Sequence, residues 1–108
     1  MISLYDINNL SDEERIELLI ELTASTSNSQ LLTQLSIHKN QEVRFQVALN
    51  SNTPINILTA LSGDEDWEMR YQVAINSSTS INILTELAKD KEAIVRRTAV
   101  RRLKNLAK

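Results

Sequence analysis

Arginine recurs in this chain at Arg44, Arg70 and Arg96, at a constant step (70 − 44 = 26 and 96 − 70 = 26). Aspartate keeps the same step at Asp64 and Asp90 (90 − 64 = 26). A guanidinium is a permanent cation whose fork of donors matches a carboxylate. Two kinds of chemistry follow. The arginines and aspartates form an internal ladder, with helix-end carbonyls as further acceptors, or the arginines line a groove for an acidic ligand. Each arginine directly follows an apolar residue: Val43, Met69 or Val95. On a helix it therefore stands beside the apolar stripe, lays its stem on the core and needs acceptors for its head.

Asn50 and Asn76 share the same step (76 − 50 = 26) and precede turns. A buried carboxamide there can satisfy turn backbone groups, which gives both a place in the structural ladder. His38 is the sole histidine and fills the slot of Asp64 and Asp90. Without a second histidine or a cysteine it is no metal site, and its expected role is a structural cap or an exposed residue. Trp67 aligns with Gln41 and Ala93, so it either folds over a neighbouring unit or marks a binding contact. Phe45 and Tyr71 share the slot after the repeated arginine, where the last unit carries Arg97. That slot offers either packing between units or an aromatic-and-arginine surface.

Catalysis finds little to work with. The chain holds 0 cysteines, which removes thiolate chemistry, disulfides and cysteine-bound metals. A phosphate-cradling loop needs several glycines, and only Gly63 is present. No serine or threonine sits in a nucleophile motif. Asp64, Glu65 and Asp66 read as a solvated turn rather than a metal site. The expectation is a protein that is not an enzyme, with no cofactor, catalytic residue or metal.

The elements that position these residues are short helices. One Gly and one Pro are too few for an all-β chain rich in turns. INILTAL at 55–61 returns as INILTEL at 81–87, and Leu32-Thr33-Gln34-Leu35 precedes both at the same step. Each unit reads as two helices. In the first, Thr53 is a good N-cap and Pro54 suits the first helical position. Ile57, Leu58 and Leu61 then share a face. Gly63 can end that helix in the left-handed conformation, and Asp64 or Asp66 can cap the second helix. Met69, Val73 and Asn76 form the second helix's inner face, as do Val43, Val47 and Asn50. Helices this short are marginal alone and stabilise one another when stacked.

The ends depart from the pattern. A longer helix is expected over 11–24, with Ser11 and Glu14 spaced as a capping box and Leu18, Leu19 and Leu22 covering the first repeat. The last helix runs over about 92–107. Val95, Ala99, Leu103 and Leu106 form its apolar stripe, with Arg97, Arg101, Lys104 and Lys108 opposite. Residues 1–30 carry Asp6, Asp12, Glu13, Glu14, Glu17 and Glu21 against Arg15 (1 − 6 = −5), while residues 88–108 carry eight bases and two acids (8 − 2 = +6). The chain divides into an N-terminal cap (1–26) and repeats over 27–52, 53–78 and 79–104, all in one domain of 108 residues.

The pattern formed by Leu84, Leu87, Ala88, Asp90, Val95 and Arg96, with Val47, Ala48, Asn50, Thr53 and Pro54, resembles the variant leucine-rich repeat family of bacterial proteins. The resemblance covers about residues 22–102. It implies an all-α fold, a short right-handed α-solenoid of paired helices, some of them 3₁₀. HEAT-like repeats resemble it more distantly. Some family members join the array to a cysteine-bound iron–sulfur module, a property a chain without cysteine cannot share.

The expected function is a protein-interaction or scaffold module that touches its partner through Phe45, Trp67, Tyr71, Arg97, Arg101 and Lys104. The alternative is nucleic-acid binding through the basic last helix, with Arg97, Arg101, Arg102, Lys104 and Lys108 on phosphates. A net charge of −2 weighs against it. No apolar run reaches the roughly 20 residues that span a bilayer, and the first residues lack a signal-peptide pattern. A cytoplasmic monomer is expected, since exposed charge pairs between chain ends contribute only about 0–1 kcal/mol each.

Overall fold

The computed structural model describes residues 9–108, so Asp6 and the rest of the segment 1–8 lie outside the described residues. Seven helices and no strand occur among the described residues. They are α1 (Asp12–Ser25), α2 (Ser29–Leu35), α3 (Gln41–Leu49), α4 (Ile55–Leu61), α5 (Trp67–Ile75), α6 (Ile81–Leu87) and α7 (Ala93–Leu106). Helices α4 and α6 begin 26 residues apart (81 − 55), as do α3, α5 and α7 (67 − 41 and 93 − 67). Helices α1, α3, α5 and α7 pack in succession, and α2, α4 and α6 each lie against the helix that follows. The molecule extends 51 Å along its long axis against 24 and 18 Å across it.

The core repeats at the same step. Leu32, Leu58 and Leu84 are fully buried, and so are Val43, Met69 and Val95. Val47, Val73 and Ala99 form a third buried set. Burial of such side chains contributes about 1.5–3 kcal/mol each, which single seven-residue helices cannot gain alone.

Side chains close the helix starts. Ser11 Oγ accepts from the Glu14 N–H, and Glu14 Oε1 accepts from the Ser11 N–H, both at 3.1 Å. This reciprocal pair holds the Glu14 carboxyl below the usual carboxylate range. Asn28 and Asn40 cap α2 and α3, Asp66 caps α5 and Ser80 caps α6.

Four local expectations need correction. Thr53 is buried and is not the N-cap of α4; its hydroxyl donates to Val47 O at 2.6 Å. That bond satisfies a carbonyl at the end of α3, a demand stronger in a buried turn than an exposed cap. Pro54 therefore takes the N-cap position, extended at φ −60°, ψ 150°, and the helix starts one residue later. Leu22 is exposed, and α1 instead turns Leu19, Ile20 and the buried Thr23 inward. This rotation brings the Thr23 and Thr26 carbonyls within reach of Asn50. Leu106 is likewise exposed, because the last turn of α7 outruns the units it packs on.

Gly63 does not adopt a positive φ. Its slot holds Ile37 and Lys89 in the other units (63 − 26 = 37, 63 + 26 = 89), which already shows that no special backbone is required. A Cβ on Gly63 would meet only Ala60 O, at 3.7 Å. Gly63→Ala is therefore expected to raise stability by about 0.4–1 kcal/mol, by narrowing the unfolded ensemble. A fall in the urea midpoint would contradict this account.

Candidate basic interaction surface

The repeated arginines first serve their own units. Arg44 Nη1 donates to His38 O at 2.7 Å, Arg70 Nη1 to Asp64 O at 2.8 Å, and Arg96 Nη1 to Asp90 O at 2.8 Å. Each guanidinium thus ties down the turn between the two helices of its unit. The ladder between units has one rung. Arg70 Nε donates to Asp90 Oδ2 at 2.7 Å, and Nη2 donates to Oδ1 at 3.1 Å. The two side chains are 7% and 8% exposed. Burial pushes the Asp90 carboxyl up, but hydrogen bonds from Arg70 and the Glu92 N–H, with the Arg70 charge, hold it below its ordinary value. The bond to Asp90 raises the Arg70 guanidinium further. Arg44 and Asp64 form no ion pair among the described residues, which corrects the expectation of a ladder running the length of the chain.

The aspartate slot has its own task. Asp64 Oδ1 accepts from the Asp66 N–H at 2.9 Å, and Asp90 Oδ1 from the Glu92 N–H at 2.8 Å. His38 Nδ1 takes the same bond from the Asn40 N–H at 3.0 Å, so the imidazole stands in for a carboxylate.

The asparagines bridge units. Asn50 Nδ2 donates to Thr23 O and Thr26 O, both at 2.8 Å. Asn76 Nδ2 donates to Ala48 O at 2.6 Å and Asn50 O at 3.0 Å. Arg102 continues the row, with Nη1 on Ala74 O at 2.8 Å and Asn76 O at 2.7 Å. On the sequence, Arg102 joins a phosphate-contacting face only in the nucleic-acid alternative. The available signal was its number, since 76 + 26 = 102.

The remaining candidates do not converge on one site. Phe45 and Tyr71 are half-buried against the core. Trp67 opens α5 and is 39% exposed. Arg97, Arg101 and Lys104 stand together on the outer face of α7, where with Arg96, Val100 and Lys108 they line a cleft of about 550 Å³. No acid lines it. Among the described residues, Arg97, Arg101, Lys104 and Lys108 form no ion pair.

This cleft lies on the last helix of the row. The slot of Ala48 and Ala74 is fully buried, yet its last member, Val100, is 37% exposed. Phe45 and Tyr71 are half-buried, while Arg97 in their slot is exposed. A second cleft, of about 430 Å³, surrounds Asp64, Glu65, Arg70, Asp90 and Lys91, and its central cation and Asp90 are spent on each other. A third hollow, of about 220 Å³, lies on α1 among Leu10, Glu14, Glu17, Leu18 and Glu21. Among the described residues no group of three or more His, Cys, Asp and Glu is placed to hold a metal, and no helix is long and apolar enough to cross a membrane. No protein-family model, curated protein or solved structure matches the chain.

Proposed function

We propose that this chain is a non-enzymatic, cytoplasmic interaction module, a right-handed solenoid of 26-residue helical units akin to variant leucine-rich repeats, which takes an acidic segment of a partner protein on its last helix. One observation carries the reading: Arg97, Arg101, Lys104 and Lys108 share an open cleft and, among the described residues, form no ion pair. Such a row gives steering and orientation more than raw affinity. Val100, at the centre of the row, adds an apolar contact that a purely phosphate-binding face does not require. The inward turn of Arg102 takes one cation from the phosphate-binding alternative.

The test is fluorescence anisotropy of a labelled glutamate- and leucine-rich peptide at low salt. Arg97→Glu with Arg101→Glu is expected to weaken binding about tenfold, while Trp67→Ala leaves it nearly unchanged. Equal binding by the reversed variant would sink the proposal. Tighter binding of a single-stranded oligonucleotide of the same charge would make nucleic acid the partner.

A further inference from the structure

We infer that the acidic segment received by α7 is, in one case, the first helix of a second copy, so that copies associate head to tail through complementary ends. The inference rests on the proposed role of the basic cleft and names one partner for it. Helices α1 and α7 are the two ends of one row, α1–α3–α5–α7. Among the described residues, each therefore has one face that no following or preceding row member covers.

The residue slots show which faces these are. Asn50 reaches back to carbonyls of α1, so its side of α3 faces the preceding row member. Val47 and Val43 lie three and seven residues earlier (50 − 47 = 3, 50 − 43 = 7), on that same side. Asn50 bonds to the Thr23 and Thr26 carbonyls, where the 26-residue step would put residues 22 and 24 (48 − 26 and 50 − 26), so α1 stands off that step and its outward face is read from exposure: Glu14, Glu17 and Glu21 are exposed and line a hollow with Leu18. At the other end, the slots of Tyr71, Ala74 and Ile75 hold Arg97, Val100 and Arg101 (71 + 26, 74 + 26 and 75 + 26).

The two faces also match in length and composition. Glu14 to Glu21 and Arg97 to Lys104 each span seven residue steps (21 − 14 and 104 − 97), or about 10 Å along a helix. Each presents one aliphatic side chain among its charges, Leu18 on α1 and Val100 on α7. A preceding-facing surface meeting a following-facing surface is a heterologous contact, and it propagates. The contact is held by charge and a small apolar patch, and salt dissolves it.

Sedimentation velocity on the full chain tests this. At about 20 mM salt the weight-average mass should rise at least about twofold with concentration, and near 0.5 M salt it should return to the monomer. Glu17→Lys with Glu21→Lys, and separately Arg97→Glu with Arg101→Glu, should each stay monomeric while keeping the wild-type circular dichroism. Mixing the two reversed variants should restore association, because each then meets an opposite charge. The neutral pair Glu17→Gln with Glu21→Gln supplies the same loss if a reversed variant misfolds. A wild type that stays monomeric at low salt, or variants that associate undiminished, overturns the inference. If the glutamate-rich peptide still binds α7 in the first of those cases, the acidic-partner reading stands and only the second copy is excluded. If neither peptide nor copy binds, both fall.

Discussion

Arg70→Ala should lower the unfolding free energy by about 3–5 kcal/mol, a large fraction of the roughly 5–15 kcal/mol available to a domain. The substitution leaves Asp90 charged and nearly buried, with the Glu92 N–H but without its two guanidinium donors. It also frees the Asp64 and Glu65 carbonyls that the same guanidinium holds. Replacing both partners, as Arg70→Met with Asp90→Leu, should cost much less than Arg70→Ala alone, because no orphaned charge remains. Urea denaturation of the three proteins measures the difference. Equal midpoints for the wild type and Arg70→Ala would show that the pair is solvated in effect.

The pH dependence follows from the same pair. The Asp90 carboxyl titrates below its ordinary value in the folded chain. Its contribution is therefore complete above the unfolded value of about 3.9, and disappears as the pH falls through the folded one. The gap between wild type and Arg70→Ala should be constant near neutrality and narrow on acidification below about pH 4. The Arg70 guanidinium, raised still further, stays charged throughout that window. A gap that widens toward acid would contradict the assignment.

Asn76→Ala should cost about 3 kcal/mol, the second largest effect expected of a single substitution. Asn76 is 3% exposed. Its Nδ2 serves two carbonyls of the preceding unit, and its Oδ1 accepts from the Ser78 N–H at 2.8 Å. Alanine strands all three groups where water has little access, and each stranded group costs about 1–3 kcal/mol when counted alone. Asn76→Asp should be no better, since it keeps the acceptor but sets a negative charge against two carbonyls. Arg102→Ala removes the corresponding bonds at the partly exposed end, where water replaces them, so a loss of about 1 kcal/mol is expected. Amide hydrogen exchange at the turns over 50–53 and 76–79 gives an independent readout, with faster exchange expected in Asn76→Ala. A change within about 0.5 kcal/mol would show that the ladder adds nothing beyond packing.

Much of the architecture was legible in the chain because the same local problem is solved at regular intervals. Leu58 and Leu84, Val47 and Val73, and Asn50 and Asn76 recur at one step, and helices and buried positions follow that step. The capping box of Ser11 and Glu14 was legible too, since both of its bonds form within one turn. Local chemistry failed where a distant group competed for the same atom. Thr53 has the residue type of an N-cap, but the carbonyl of Val47 takes its hydroxyl. Gly63 has the residue type of a left-handed stop, yet its slot tolerates Ile37 and Lys89.

By itself, then, the sequence determined the helical character and the opposite charges of the two ends, because these depend on residue type and spacing along the chain. The tertiary structure decided which identical-looking slots carry interactions between units. It gave Arg70 a carboxylate and left Arg44 and Arg96 with carbonyls alone. It turned Arg102 inward while leaving Arg97, Arg101 and Lys104 open, and it separated Trp67 from them. The reason is physical: a hydrogen bond or ion pair depends on the three-dimensional approach of two atoms, and an equal spacing in sequence places a slot without deciding what stands across from it.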